Sequence, residues 1–253
     1  MKDKYRIKVL NKTYNLLLLS GLLVFIGLKI FLKHLEPAKQ LATLKIIYFG
    51  ALFYFIYYKI RLCKDDEFYY ECYGCKADPW NELPLNPCNI ALIGMLIYLY
   101  QPNRYLACFI FFCGLLATPL ALIFPPKGFY DAPLFKDVIL GFYLTHILCL
   151  YIPLFLLSQH LYYPAITDIP IIIIILNAYS LFCYLLNDFL HKKNICTICN
   201  YAYNYDPIEN NISQKIAQIA PNRFIFSLIM CNLFCLIISA LILIFTLIQN
   251  PSF

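Results

Sequence analysis

One cysteine stands where backbone geometry would activate it. Leu83-Pro84-Leu85-Asn86-Pro87-Cys88 leads into an apolar stretch that runs to Tyr100. Asparagine is a favoured N-cap and proline a favoured first helical residue, so the spacing predicts a helix capped by Asn86, with Pro87 first and Cys88 second. A helix start carries partial positive charge and N–H groups without intrahelical partners. A thiol placed there has its thiolate stabilised. The same N–H groups can hold the oxyanion of an acyl-transfer intermediate. The plain alternative is packing: Cys88 is one of 12 cysteines in the chain, and buried cysteines usually serve as small apolar residues.

A base for such a thiol is available. His146 lies eight residues into the apolar stretch that begins at Val138, roughly 12 Å along a helix. An ionisable residue at that depth is a functional candidate by default; the alternative is a neutral imidazole hydrogen-bonded to a neighbouring helix. Asn177 and Asn232 fall at similar depth in their own stretches, as does Cys113 beside Gly114. Cys88, His146 and Asn177 would make a Cys-His-Asn arrangement, in which the amide fixes the imidazole tautomer and the imidazole takes the thiol proton. Separately, Cys72-Tyr73-Gly74-Cys75 and Cys196-Thr197-Ile198-Cys199 form two Cys-x-x-Cys pairs in polar segments. Four thiolates from Cys72, Cys75, Cys196 and Cys199 would close a tetrahedral structural zinc site. The competing picture has four separate thiols, solvated or packed.

The elements that must hold these residues are membrane helices. Of 253 residues, 62% are hydrophobic and 13% charged, and the mean hydropathy is +0.68. Soluble domains are about 45–50% apolar and about 25% charged. This excludes an ordinary cytosolic enzyme, a nucleic-acid-binding domain and a disordered chain. Seven stretches reach or approach spanning length: 16–32, 42–58, 86–100, 105–124, 138–158, 169–186 and 224–248. The expectation is one all-α integral membrane domain over 1–253, a bundle of seven transmembrane helices. The third stretch is short, 15 residues or roughly 22 Å, so the Leu83–Cys88 segment is expected to dip below the interface. Runs such as Ile171–Ile175 are apolar on every face, which suits lipid-buried helix and not barrel alternation. With the N-terminus inside, Lys29, Lys33, Lys39, Lys45 and Arg104 fall outside and the other 15 of 20 basic residues inside. The positive-inside rule then selects N-in, C-out. No Asp or Glu falls within the seven stretches; Asp137, Asp168 and Asp188 sit at their edges. Ion-coupled transporters usually carry such residues at depth.

The chain also resembles the YwaF-like family of integral membrane proteins, whose eukaryotic relatives are assigned as lipid acyltransferases. The family has Leu-Pro-Leu-His-Leu-Cys opening a transmembrane helix, where this chain has Leu83-Pro84-Leu85-Asn86-Pro87-Cys88. Phe112-Cys113-Gly114-Leu115, Ala121-Leu122-Ile123-Phe124-Pro125, His146, and Asn200-Tyr201-Ala202-Tyr203 followed by Pro207 match later family elements in order. The likeness covers roughly 83–207. It implies a Cys-His pair at Cys88 and His146 that moves a fatty acyl chain between lipids, without a catalytic cofactor. Asn86 and Pro87 depart from the family's His and Leu. The expected function is therefore acyl transfer on membrane lipids, with lipids as the partners and no nucleic acid. Two other classes stand beside it: a small-molecule carrier or channel lined by the His/Asn belt, and a zinc-stabilised membrane protein without turnover.

Overall fold

The computed structural model describes residues 5–126, 128–207 and 211–249, with Asn211 described by its backbone alone. Six helices are long and apolar enough to cross a membrane: α1 (Lys12–Lys33), α2 (Pro37–Leu62), α5 (Arg104–Ile123), α6 (Asp137–Ser158), α7 (Asp168–Lys192) and α9 (Arg223–Gln249). Between them lie α3 (Asp66–Tyr73), the shorter apolar α4 (Pro87–Tyr100) and α8 (Asn211–Ile219). The third expected span is thus the one that falls short, at 14 residues. The protein is a mostly helical, multi-pass integral membrane protein.

The helix starts follow from local chemistry. Asn11 accepts a hydrogen bond from Tyr14 N at 2.8 Å and opens α1. Pro37 occupies the first turn of α2. Asn103 accepts from Tyr105 N and Leu106 N at 2.8 and 3.2 Å and opens α5. Helix α3 ends at Gly74, whose positive φ of 69° suits glycine. A two-residue ribbon ties the N-terminus down: β1 (Arg6–Ile7) pairs antiparallel with β2 (Ala132–Pro133), and Arg6 meets Asp131 at 2.9 Å.

Helix α6 is the most enclosed and α1 the least. Helices α2, α4 and α5 pack around α6, while α7 and α9 form the largest pair contact. Close approach of α5 to α6 depends on Gly114. A Cβ there would lie 2.8 Å from the Cys149 carbonyl and 2.7 Å from Pro153 Cδ. Around it, Cys113–Ala117 forms a π-turn inside α5, facing the stretch of α6 that contains Pro153.

Near the start of α7, Asp168 is fully buried. Arg104 donates to its two oxygens from Nε at 2.8 Å and Nη2 at 2.9 Å. Tyr162 Oη and Ala165 N each donate to Oδ2 at 2.9 Å. One carboxylate therefore locks the α4–α5 turn to the α6–α7 loop. Asp168→Asn keeps the shape but loses the charge and the two-pronged arginine contact. It should lower stability by about 1–3 kcal/mol, read as a drop in thermal midpoint in detergent. A midpoint unchanged from the parent would show that the clamp carries no stability.

Candidate functional site

The segment before α4 descends among the helices. Leu85 N donates to Leu83 O at 2.7 Å, making a tight turn. The next carbonyl, Leu85 O, accepts from Tyr179 Oη at 2.5 Å. Tyr179 lies 11 residues from the start of α7 and 13 from its end, roughly 16–20 Å from either. The turn that delivers Cys88 thus meets a side chain from the middle of α7, while Leu83 and Leu85 pack on the cluster of Cys183, Leu190 and the Cys196–Cys199 loop. Non-helical backbone is tolerated inside a membrane only against protein, and here α7 supplies it. Helix α4 begins as its sequence dictates, with Asn86 at the N-cap and Pro87 first. The Asn86 side chain does not cap α4. Its Oδ1 accepts from Ala202 N at 3.1 Å, tying α4 to a second inward-running loop.

That second loop covers the same region. Asn187 pairs with Tyr201 in both directions, at 3.1 and 3.0 Å. Two turns deeper on α7, Asn204 Nδ2 donates to Ser180 O at 2.8 Å. Between these anchors, Ala202 and Tyr203 have φ of 57° and 52°, a left-handed backbone that non-glycine residues seldom adopt. The Tyr203 hydroxyl lies within electrostatic reach of Cys88, Lys59, Tyr58 and Glu82. Burial, reinforced by Cys88, pushes that hydroxyl's pKa up to about 12, so it is a neutral phenol.

Cys88 itself is 5% exposed and His146 6%. The thiol's polar neighbours are its own backbone amide and the Thr118 hydroxyl. Thr118 is fully buried and its Oγ1 lies outside hydrogen-bond geometry with any partner among the described residues. Cys149 Sγ donates to Cys88 O at 3.2 Å, which fixes α6 against the first turn of α4. His146 precedes Cys149 by three residues, on the same face of α6. Among the described residues, no hydrogen bond joins the Cys88 thiol to His146. His146 Nδ1 lies 2.7 Å from Phe142 O. A carbonyl only accepts, so Nδ1 carries the proton and, in the neutral ring, Nε2 carries the lone pair. The Phe142 ring packs on the imidazole at 4.1 Å between centroids.

A buried ion pair completes this region. Lys59 Nζ meets Glu82 Oε2 at 2.6 Å, with the two side chains 15% and 7% exposed. Tyr69 Oη donates to Glu82 Oε1, and Asn81 Nδ2 donates to the same oxygen at 3.3 Å. Burial and the Glu82 carboxylate hold the Tyr69 pKa well above its ordinary range, so it stays a donor. Lys59 also lies within electrostatic reach of His146. In the sequence, Lys59 is one of the 15 basic residues expected on the inner side, and Glu82 belongs to no motif. The available signal was an acid directly before an apolar Leu-Pro-Leu turn expected to dip, since such an acid needs a cation.

The other expected site residues lie elsewhere. Asn177 Nδ2 donates to Ile173 O at 2.9 Å and to Cys235 Sγ at 3.7 Å. Its amide serves α7 and α9, and the carbonyl that fixes the His146 tautomer belongs to Phe142. Asn232 donates to Leu228 O within its own helix and faces outward. Of the four thiols expected at a shared metal, Cys196 and Cys199 are joined in a disulfide. Their sulfurs cluster with the Asp78 carboxylate. Cys72 packs instead beneath the 128–134 loop: a Cβ on Gly128, at φ 88°, would sit 2.0 Å from its Sγ. Cys75 is half-buried and within electrostatic reach of Asp78, yet outside the clustered set. The structure thus joins Cys196 and Cys199 to Asp78, and does not join them to Cys72 or Cys75.

No curated protein and no solved structure matches this chain. Residues 9–248 match one family of membrane proteins along nearly their whole extent, a wider match than the 83–207 stretch that carries the motifs. The chain belongs to the TMEM164 family.

Proposed function

We propose that this protein is a membrane-embedded acyltransferase acting on lipid acyl chains, with Cys88 as nucleophile and His146 as base. The reading agrees with the YwaF-like resemblance and its acyltransferase relatives. The observation that carries it is the placement of Cys88: a thiol buried at the first turn of a short helix, behind a turn anchored on Tyr179. His146, with Nδ1 engaged and Nε2 available, supports the assignment of the base. Helix α4 is taken as a seventh, short span completed by its descending approach, and the charge asymmetry sets the chain N-in, C-out.

His146 Nε2 takes the Cys88 proton. The thiolate attacks the ester carbonyl of a donor lipid, a C–S bond forms, and the Cys88 N–H at the helix start faces the developing oxyanion. The ester C–O bond breaks, and the imidazolium returns its proton to the departing lipid alkoxide. An acceptor lipid hydroxyl then gives its proton to Nε2 and attacks the thioester; the new ester C–O bond forms, the C–S bond breaks, and the imidazolium returns the proton to the Cys88 thiolate. Cys88 is buried, so the elements packed around it must shift for an acyl ester to reach the sulfur.

The test is direct. Purified protein incubated with a labelled-acyl phospholipid should acquire a hydroxylamine-labile label on the Cys88 peptide, and Cys88→Ala should abolish both label and transfer. Lipid acyl-chain distributions that stay unchanged when the whole protein is deleted would sink the enzymatic reading.

A further inference from the structure

Asp78 and the Cys196–Cys199 pair come from two segments that the fold presses together. Asp78 belongs to the stretch between α3 and α4, and the cysteines to the loop after α7. The carboxylate oxygen and both sulfurs lie within 4.8 Å of one another. Both cysteines are buried, in a small apolar cluster with Cys183, Leu190 and Tyr201, against Leu83 and Leu85. Tyr201 adds an independent observation. Its ring is 1% exposed, and its hydroxyl is one of two buried side-chain polar atoms without a partner among the described residues. Asp78 is the first charged group within electrostatic reach of that hydroxyl. A buried phenol normally finds an acceptor, so this site is short of one ligand-borne atom.

We propose that, with its two thiols reduced, the Asp78–Cys196–Cys199 cluster binds one zinc ion and staples the Asp78–Asn86 segment to the Cys196–Asn204 loop. Two thiolates and a carboxylate are zinc donors, and the fourth tetrahedral position goes to a water. That water would accept from the Tyr201 hydroxyl and remove its deficit. The disulfide is the metal-free, oxidised form of the same site. Two equivalents of a small thiol such as glutathione supply two electrons and two protons to open it, becoming one disulfide themselves. Zinc then displaces the two thiol protons. The donor set differs from four thiolates, because Cys72 is held under Gly128 and Cys75 stands off.

The staple would act on the start of α4. Leu85 leads directly into α4, and Ala202 donates to Asn86, so both stapled segments end at the same helix start. The metal assignment stands independently of the proposed acyl transfer.

Full-length protein in detergent, reduced with a phosphine and desalted, is titrated with zinc against a chromophoric chelator, and then with Co2+ for its thiolate charge-transfer band. One zinc per chain and a band of two-sulfur intensity are expected. Cys196→Ser/Cys199→Ser should abolish both. Asp78→Asn should weaken zinc by at least tenfold while keeping the two-sulfur band, and it guards against the cysteine variant failing to fold. Cys72→Ser/Cys75→Ser should bind as the parent does. No zinc in the reduced parent, a four-sulfur band, or loss of zinc in the Cys72/Cys75 variant would each overturn the assignment.

Discussion

Glu82→Ala should cost about 3–5 kcal/mol of stability, because it strands the Lys59 ammonium in a buried site without its counter-charge. Lys59 Nζ and Glu82 Oε2 are 2.6 Å apart and largely enclosed. The other carboxylate oxygen takes hydrogen bonds from Tyr69 and Asn81. Removal of the acid leaves three donors facing a void. The double substitution Lys59→Met/Glu82→Leu should recover most of the loss, since apolar replacement of a complete buried pair is often neutral or stabilising by about 1–4 kcal/mol. Thermal unfolding in detergent distinguishes the two variants. A single variant within about 1 kcal/mol of the parent would mean the pair behaves like a surface bridge. The contrast also bears on the site. Lys59 sits at the last turn of α2 and Glu82 just before the Leu83–Leu85 turn, so this pair fixes the level at which that turn enters the bundle.

The long helices were legible as apolar runs, although their bounds moved: the stretch expected at 42–58 is helical over Pro37–Leu62, and the one at 105–124 opens at Arg104 behind Asn103. The Asn86-Pro87-Cys88 start was legible from residue type. It depends on one residue's φ and one favoured cap position, both local properties. What the Asn86 side chain does was not legible, since its partner Ala202 lies 116 residues away. The second descending loop was hidden in the same way. Its residues are polar, and polar segments between spans normally stay in water. Only the accumulation of Asn187, Ser180 and Asn204 hydrogen bonds along α7 draws it inward.

Asn177 shows the limit of depth as an argument. Counting residues into a span gives a level along the membrane normal, and says nothing of which neighbour the side chain meets. Level with His146 by count, Asn177 turns to Cys235 on α9. The two Cys-x-x-Cys pairs misled similarly. Equal spacing and a shared side suggested one site, but Cys72 is in the middle of a packed contact with Gly128, and a carboxylate that no motif flagged stands beside the other pair.

His146→Gln should lower acyl transfer by about 10²–10⁴-fold, the usual contribution of a general base, with little change in stability. Glutamine can keep a donor for Phe142 O, which lies one turn back on the same helix, and its amide oxygen cannot take the thiol proton at neutral pH. Slow labelling of Cys88 should persist, because the thiol and the helix-start amide remain in place. Asn177→Leu offers the matching control. Its amide is engaged with Ile173 O and Cys235 Sγ, so the substitution should leave transfer within about threefold of the parent while lowering the thermal midpoint through the loss of a part-buried hydrogen bond worth about 1 kcal/mol. Single-turnover labelling of Cys88 is the measurement, since it isolates thioester formation from lipid exchange. Equal rates in His146→Gln and the parent would remove the imidazole from the chemistry and leave it a packing residue against Phe142. A collapse in Asn177→Leu with an unchanged midpoint would restore the amide to the site, and would require a rearrangement of α7 that brings it to His146.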